Sequence, residues 1–128
     1  MWPLGDRSTR PDSRQAAVID VGSNSVRLVI YRIDGRALWT VYNEKVVAGL
    51  GKDLTSSGRL SPEGVEDAIG ALRRFRAVLD GWPAQDVTTA ATAAVRDAAD
   101  GKTFLARVKS ETGLDIRVLT GAEEARFA

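Results

Sequence analysis

The chain has 128 residues, 44% hydrophobic and 27% charged, with a formal net charge of +1. That size and balance suit one packed domain and supply no whole-molecule attraction to nucleic acid or to an anionic membrane. Cysteine and histidine are both absent, which excludes disulfides, thiolate and imidazole metal sites and any Ser-His-Asp arrangement, and leaves proton transfer to Asp, Glu, Lys or Tyr.

Residues 1–15 read as a flexible N-terminal tail: "MWPLGDRSTRPDSRQ" carries Arg and Pro but no apolar signal core. No apolar run approaches the roughly 20 residues of a membrane span, so a cytoplasmic protein is expected. Ala16 to Gly22 is a short run with Val and Ile, closed by Gly, and predicts a buried strand. Ser25 to Asp34 has apolar residues at both alternating sets of positions and predicts a second strand covered on both sides. Asp34-Gly35 is a tight-turn signal. Ala37 to Val47, with Trp39, Val41, Tyr42, Val46 and Val47, predicts a third strand. Ala48 to Gly58 is a Gly/Ser/Asp loop.

A helix is well marked after it. Ser61 can cap, Pro62 suits the first helical position, and Glu63 favours the positive end of the dipole. Leu60 and Val65 are spaced for a hydrophobic staple. Val65, Ala68, Ile69, Leu72, Phe75, Leu79 and Trp82 recur at helical spacing and predict one buried face. Val87 to Ala93 is a small-residue, β-branched run expected as a central strand, and Arg96 to Gly101 a polar turn. A helix through Phe104, Leu105 and Val108 ends at Gly113. Asp115 to Leu119 is the last strand, and Gly121 to Ala128 opens a further helix with Glu123 and Glu124 in its first turn. The order β-β-β-α-β-α-β-α predicts an α/β domain with a mixed five-stranded sheet and flanking helices.

Chemistry concentrates at "IDVGSNSVRLVI". Gly22 at a strand end permits a sharp turn, because it can take φ > 0. Successive N–H groups from Gly22 through Ser25, with the Ser23, Asn24 and Ser25 side chains, can form an anion cradle. Asp20 precedes the turn and can hold a cation beside a phosphate. For the motif taken alone, a plain polar β-turn is the better account, since motifs this short match often.

Three motifs in order carry a resemblance: "IDVGSNSVRLVI", "TAAVRDAADGKTFLARVKSETG" and "GAEEAR". From about Ala16 to its last residue the chain resembles the exopolyphosphatase / guanosine pentaphosphate phosphohydrolase (Ppx/GppA) family, of the actin, sugar-kinase and heat-shock-chaperone ATPase superfamily. The resemblance implies a ribonuclease H-like, actin-type ATPase lobe at 16–128. It implies that Gly22, Ser23, Asn24 and Ser25 form the first phosphate loop, that Asp20 sits near Mg2+, and that Arg96 points into the cleft as a phosphate ligand. The second acid of "GAEEAR", Glu124, corresponds to the family's catalytic glutamate. A carboxylate there can orient a water and take its proton; helix-dipole stabilisation is the simpler explanation for Glu123 and Glu124 taken alone.

Many relatives have a basic residue immediately before Leu-Gly; this chain has Ala48-Gly49-Leu50-Gly51, with Lys52 next. The family's second lobe opens on Asp-Ile-Gly-Gly-Gly-Ser, which this sequence lacks. The chain is therefore expected to be an N-terminal lobe truncated before the C-terminal lobe, weakly active or inactive alone, and open to homodimer formation through its uncovered cleft face. The implied reaction is release of terminal orthophosphate from polyphosphate or guanosine pentaphosphate. A superfamily kinase using ATP, and a non-catalytic polyphosphate or alarmone (guanosine tetra- or pentaphosphate) sensor, are the alternatives.

Overall fold

The computed structural model describes residues 13–127. Five strands form one sheet in the order β3-β2-β1-β4-β5: β1 Ser13–Val21, β2 Ser25–Asp34, β3 Ala37–Val47, β4 Asp86–Ala91 and β5 Arg117–Val118. β1 pairs antiparallel with β2 and parallel with β4; β2 pairs antiparallel with β3, and β4 parallel with β5. The expected mixed five-stranded α/β architecture is what the chain adopts.

The helices are α1 Leu54–Ser57, α2 Pro62–Gly81, α3 Ala93–Asp97, α4 Gly101–Thr112 and α5 Gly121–Phe127. Helix α2 begins where the residue chemistry requires: the Ser61 hydroxyl accepts from the Gly64 N–H at 3.2 Å, and Pro62 occupies the first turn. Helix α4 ends at Gly113, left-handed at φ 74°, whose N–H donates to the Lys109 carbonyl. The Asp34 strand end leads into Gly35 at φ 62°, closing the β2–β3 hairpin.

One core holds the molecule together. Ile19, Val21, Val26, Leu28 and Ile30 point from β1 and β2 onto Ile69, Leu72 and Phe75 of α2 and Phe104 and Val108 of α4. The opposite sheet face carries Val18, Asp20, Arg27, Val29 and Tyr31 in alternation with that buried set, half-buried or exposed. The expectation that β2 is covered on both sides is therefore corrected: apolar residues occupy both faces, but only the Val26, Leu28 and Ile30 set is fully buried.

Five boundaries also differ from expectation, the first being that β4 runs Asp86–Ala91 and Ala93 already belongs to α3. β1 reaches back to Ser13, so residues 13–15 of the expected tail belong to the sheet; residues 1–12 lie outside the described residues. Gln15 is held there because its N–H donates to Gln85 Oε1 and its side-chain amide to the Pro83 carbonyl. The 48–58 loop contains α1, and the turn expected from Arg96 begins earlier, as the short helix α3. β5 keeps only Arg117 and Val118 in ladder pairing.

Candidate functional site

The Gly22–Ser25 turn links the C-terminal end of β1 to β2. The Gly22 N–H donates to the Ser25 carbonyl at 2.9 Å, so it closes the turn and is not available to an anion. Nor is Gly22 among the glycines with positive φ. Its small size has another cause: a Cβ there would stand 3.3 Å from the Ser25 oxygen and 4.0 Å from Thr92 Oγ1. Both the left-handed turn and the Gly22 donor expected from sequence are corrected on these grounds. The turn is anchored from outside instead. The Ser23 carbonyl accepts from Gly51, and the Asn24 carbonyl accepts from both Ala48 and Gly49.

Two hollows lie near the C-terminal end of β1. One, a cavity of about 610 Å³, is lined by Val18, Asp20, Thr88, Ala90, Thr92, Arg117, Leu119 and Glu124, among others. The other, about 440 Å³, is lined by Ser23, Asn24, Val47, Ala48, Gly49, Gly51 and Lys52. The expected site residues thus separate. Asp20 and Glu124 share the first hollow, Ser23 and Asn24 the second, and Gly22 and Ser25 line neither.

Arg96 and Glu124 meet directly although 28 residues separate them. Arg96 Nη1 donates to Glu124 Oε1 at 2.8 Å and to the Leu119 carbonyl at 3.0 Å, while Nε donates to Asp97 Oδ1 at 3.1 Å. The Asp97 carboxylate first, and Glu124 after it, hold the guanidinium above its ordinary value. Nη2 has no partner among the described residues, so two donors of the rigid fork remain for an incoming oxyanion. The Leu119 carbonyl locks the arginine because β5 delivers that residue beside the end of β4: the Leu119 N–H donates to the Ala91 carbonyl. Helix α5 then starts on a capping exchange. Thr120 Oγ1 accepts from the Glu123 N–H, and Glu123 accepts from the Thr120 N–H. Glu123 also pairs with Arg117. The first acid of the pair is thus spent on holding the helix, which leaves the second, Glu124, turned to Arg96.

Asp20 has no hydrogen bond or ion pair with any described residue. Among the described residues no three carboxylates gather into a metal cage. Mg2+ commonly uses one or two carboxylates and completes its shell with water and substrate phosphate, and the free Asp20 carboxylate fits that limited share.

Thr92 and Arg117 line the cavity without having been singled out from sequence. The signal for Thr92 was faint: it is the N-cap residue of α3 and its N–H donates to the Val21 carbonyl, which fixes it against the Gly22–Ser25 turn. Lys52 had been noted only for its charge; the fold carries it to Ser23 and Asn24.

A model of the Ppx/GppA phosphatase family matches residues 29–128. The chain belongs to the Ppx/GppA phosphatase family. Exopolyphosphatase 1 of Mycobacterium tuberculosis is 31% identical over 111 residues, a stretch that covers 86% of this chain and 32% of that protein; the Mycobacterium bovis Exopolyphosphatase 1 matches equally. The crystal structure of the Aquifex aeolicus Ppx/GppA family member superposes with a TM-score of 0.86 at 34% identity, over 91% of this chain and 38% of that one. An exopolyphosphatase from Cytophaga hutchinsonii gives 0.83 at 34% identity, over 88% of this chain and 36% of that one. The chain therefore has the actin-like ATPase fold of Ppx/GppA proteins and spans about a third of the length of these relatives. No helix among the described residues is long and apolar enough to cross a membrane.

Proposed function

We propose that this chain supplies the catalytic-glutamate wall of a phosphoanhydride hydrolase, one that releases terminal orthophosphate from inorganic polyphosphate or guanosine pentaphosphate. The observation that carries this reading is the Arg96–Glu124 pair at 2.8 Å, on a cavity that Glu124 shares with the unpaired Asp20. Arg96 touches Glu124, Glu124 lines a cavity with Asp20, and the three residue types suit phosphoryl transfer. Arg96 would bind oxygens of the terminal phosphoryl group through Nη2. Glu124 would orient a water in line with phosphorus and take its proton as the new P–O bond forms. The bridging P–O bond breaks, and its electron pair leaves on the shortened phosphate chain. Mg2+, when bound, would offset phosphoryl charge, and Asp20 is the carboxylate placed to hold it.

Glu124→Ala tests this in the protein extended to the length of its relatives. Turnover should fall by about 10²–10⁴-fold, the usual share of general base catalysis, while polyphosphate binding persists. Unchanged turnover would refute the assignment. Binding without phosphate release by the unsubstituted extended protein would instead favour a sensor.

A further inference from the structure

We infer that the outer edge of β3 is a self-association surface, on which two copies of the chain pair their β3 strands antiparallel about a two-fold axis at Asn43. β3 is the outermost strand of the sheet, 11 residues long, and among the described residues it pairs with β2 alone. An edge of that length offers a row of backbone donors and acceptors to another strand. Leu38 and Val47, near its two ends, are the most exposed large hydrophobic residues among those described, at 62% and 65%.

The register carries the inference. An odd number of residues separates Leu38 from Val47, so a regular strand would place them on opposite faces. They share a face because β3 is bulged: Ile30 faces Tyr42 while Tyr31 faces Thr40, which leaves Val41 as the extra residue. Leu38 therefore stands opposite Ile33 and Val47 opposite Ser25, on the sheet face away from α2 and α4. Trp39, Tyr42, Glu44 and Val46 take the other face. An antiparallel partner centred on Asn43 matches this pattern face for face. Leu38 meets Val47 of the partner subunit on one side of the sheet, and Trp39 meets Val46 of the partner subunit on the other. Thr40 stands opposite Lys45 of the partner subunit, and Tyr42 opposite Glu44 of the partner subunit. No like charges oppose each other, and Val41 stays the bulged residue of each copy. Centring on Glu44 or on Lys45 would set two like charges directly opposite, which destabilises a strand pair. Centring on Tyr42 would bring the bulge against Asn43 and break the match of faces. A seam of two strands falls below the roughly 1,200 Å² of a standard interface, so the dimer is weak and depends on concentration.

The test is sedimentation equilibrium of the full 128-residue chain over a concentration series that reaches the millimolar range. The chain should pass from monomer to dimer along the series. Leu38→Lys and Val47→Glu, each alone, should weaken the dimer about tenfold, because the two-fold axis makes each substitution spoil two cross-strand apolar pairs. Both side chains are exposed, so the substitutions leave the core intact. Combined in one chain, the two should restore the dimer, since the introduced charges then face each other across the axis with opposite sign. Val87→Lys, at an exposed apolar residue of β4, should leave the dimer unchanged. A monomer at every concentration overturns the proposal. So does a dimer that Val87→Lys weakens as much as Leu38→Lys does, or one that the combined variant fails to restore.

Discussion

Gly101 and Gly70 are both helical glycines, yet substitution should act in opposite directions. A Cβ on Gly101 would collide with the Val95 carbonyl oxygen, and backbone cannot rotate away as a side chain can. Val95 precedes Arg96 on α3, so the contact between α3 and α4 sets where the guanidinium starts. Gly101→Ala should force the helices apart and cost about 1–3 kcal/mol, more than the helix-propensity gain of up to about 1 kcal/mol. Gly70 has open space where its Cβ would be, on the exposed face of α2. Gly70→Ala should stabilise by about 0.5–1 kcal/mol. Thermal denaturation of the two variants decides: Tm should fall for the first and rise for the second. A rise for Gly101→Ala would mean that α3 yields without cost, and that the Arg96 position is not set by this packing.

Helices α2 and α4 share an ionic seam along their solvent edge. Arg107 of α4 holds Glu66 of α2 with both guanidinium nitrogens and Glu111 of its own helix with Nε, while Arg73 of α2 pairs with Glu111. Glu44 on β3 is similarly held by Arg74 at 2.9 Å and by the Tyr42 hydroxyl at 2.6 Å. The partnering arginines, first in each case, keep Glu66, Glu111 and Glu44 below their ordinary value of 4.5. A carboxyl depressed in the folded state binds fewer protons there than in the unfolded chain. Its contribution is complete above pH 4.5 and is lost as the pH falls through the lower folded value. Tm should therefore hold near neutrality and decline below about pH 4.5, and the decline should shrink in high salt because the seam is exposed. Arg107→Gln should flatten the acid limb. An acid profile identical in that variant would show the seam to be ornamental.

At the scale of the molecule, α2 and α4 cover one face of the sheet, and α5 brings Glu124 to the cavity with Asp20 toward the other. On the proposed reading such a wall would position a base, a clamp and a metal-side carboxylate, but in-line attack also requires the leaving phosphate chain to be held opposite the water. Charge stabilisation by fixed donors gains its full strength only where water is excluded. The 128 residues alone should accordingly show little or no release of phosphate from tripolyphosphate, and the protein extended to the length of its relatives should show much more. A phosphate-release assay on the two proteins side by side checks this; robust turnover by the shorter chain would mean that one wall suffices.

Much of the fold was legible because its signals are local. Ser61-Pro62 and Gly113 bound their helices through capping groups a few residues away, and the apolar spacing from Ala68 to Leu79 depends on helix pitch alone. Motif order likewise carried the family. What sequence could not contain was which side chains meet. Arg96 reaches Glu124 only because β4 and β5 pair in parallel and set Leu119 beside Ala91. Lys52 lines one hollow with Ser23, beside bare glycines at 51 and 64 that let the backbone pack closely there. At Gly22 the reason offered from sequence is not the one the structure shows: a Cβ would come tightly against the Ser25 oxygen, a contact invisible along the chain, while its φ is not positive. Local propensity and motif chemistry act over a few residues and are written in order along the chain. The placing of Asp20 in one hollow and of Ser23 and Asn24 in another is a matter of contacts across strands, and those exist only after the sheet has assembled.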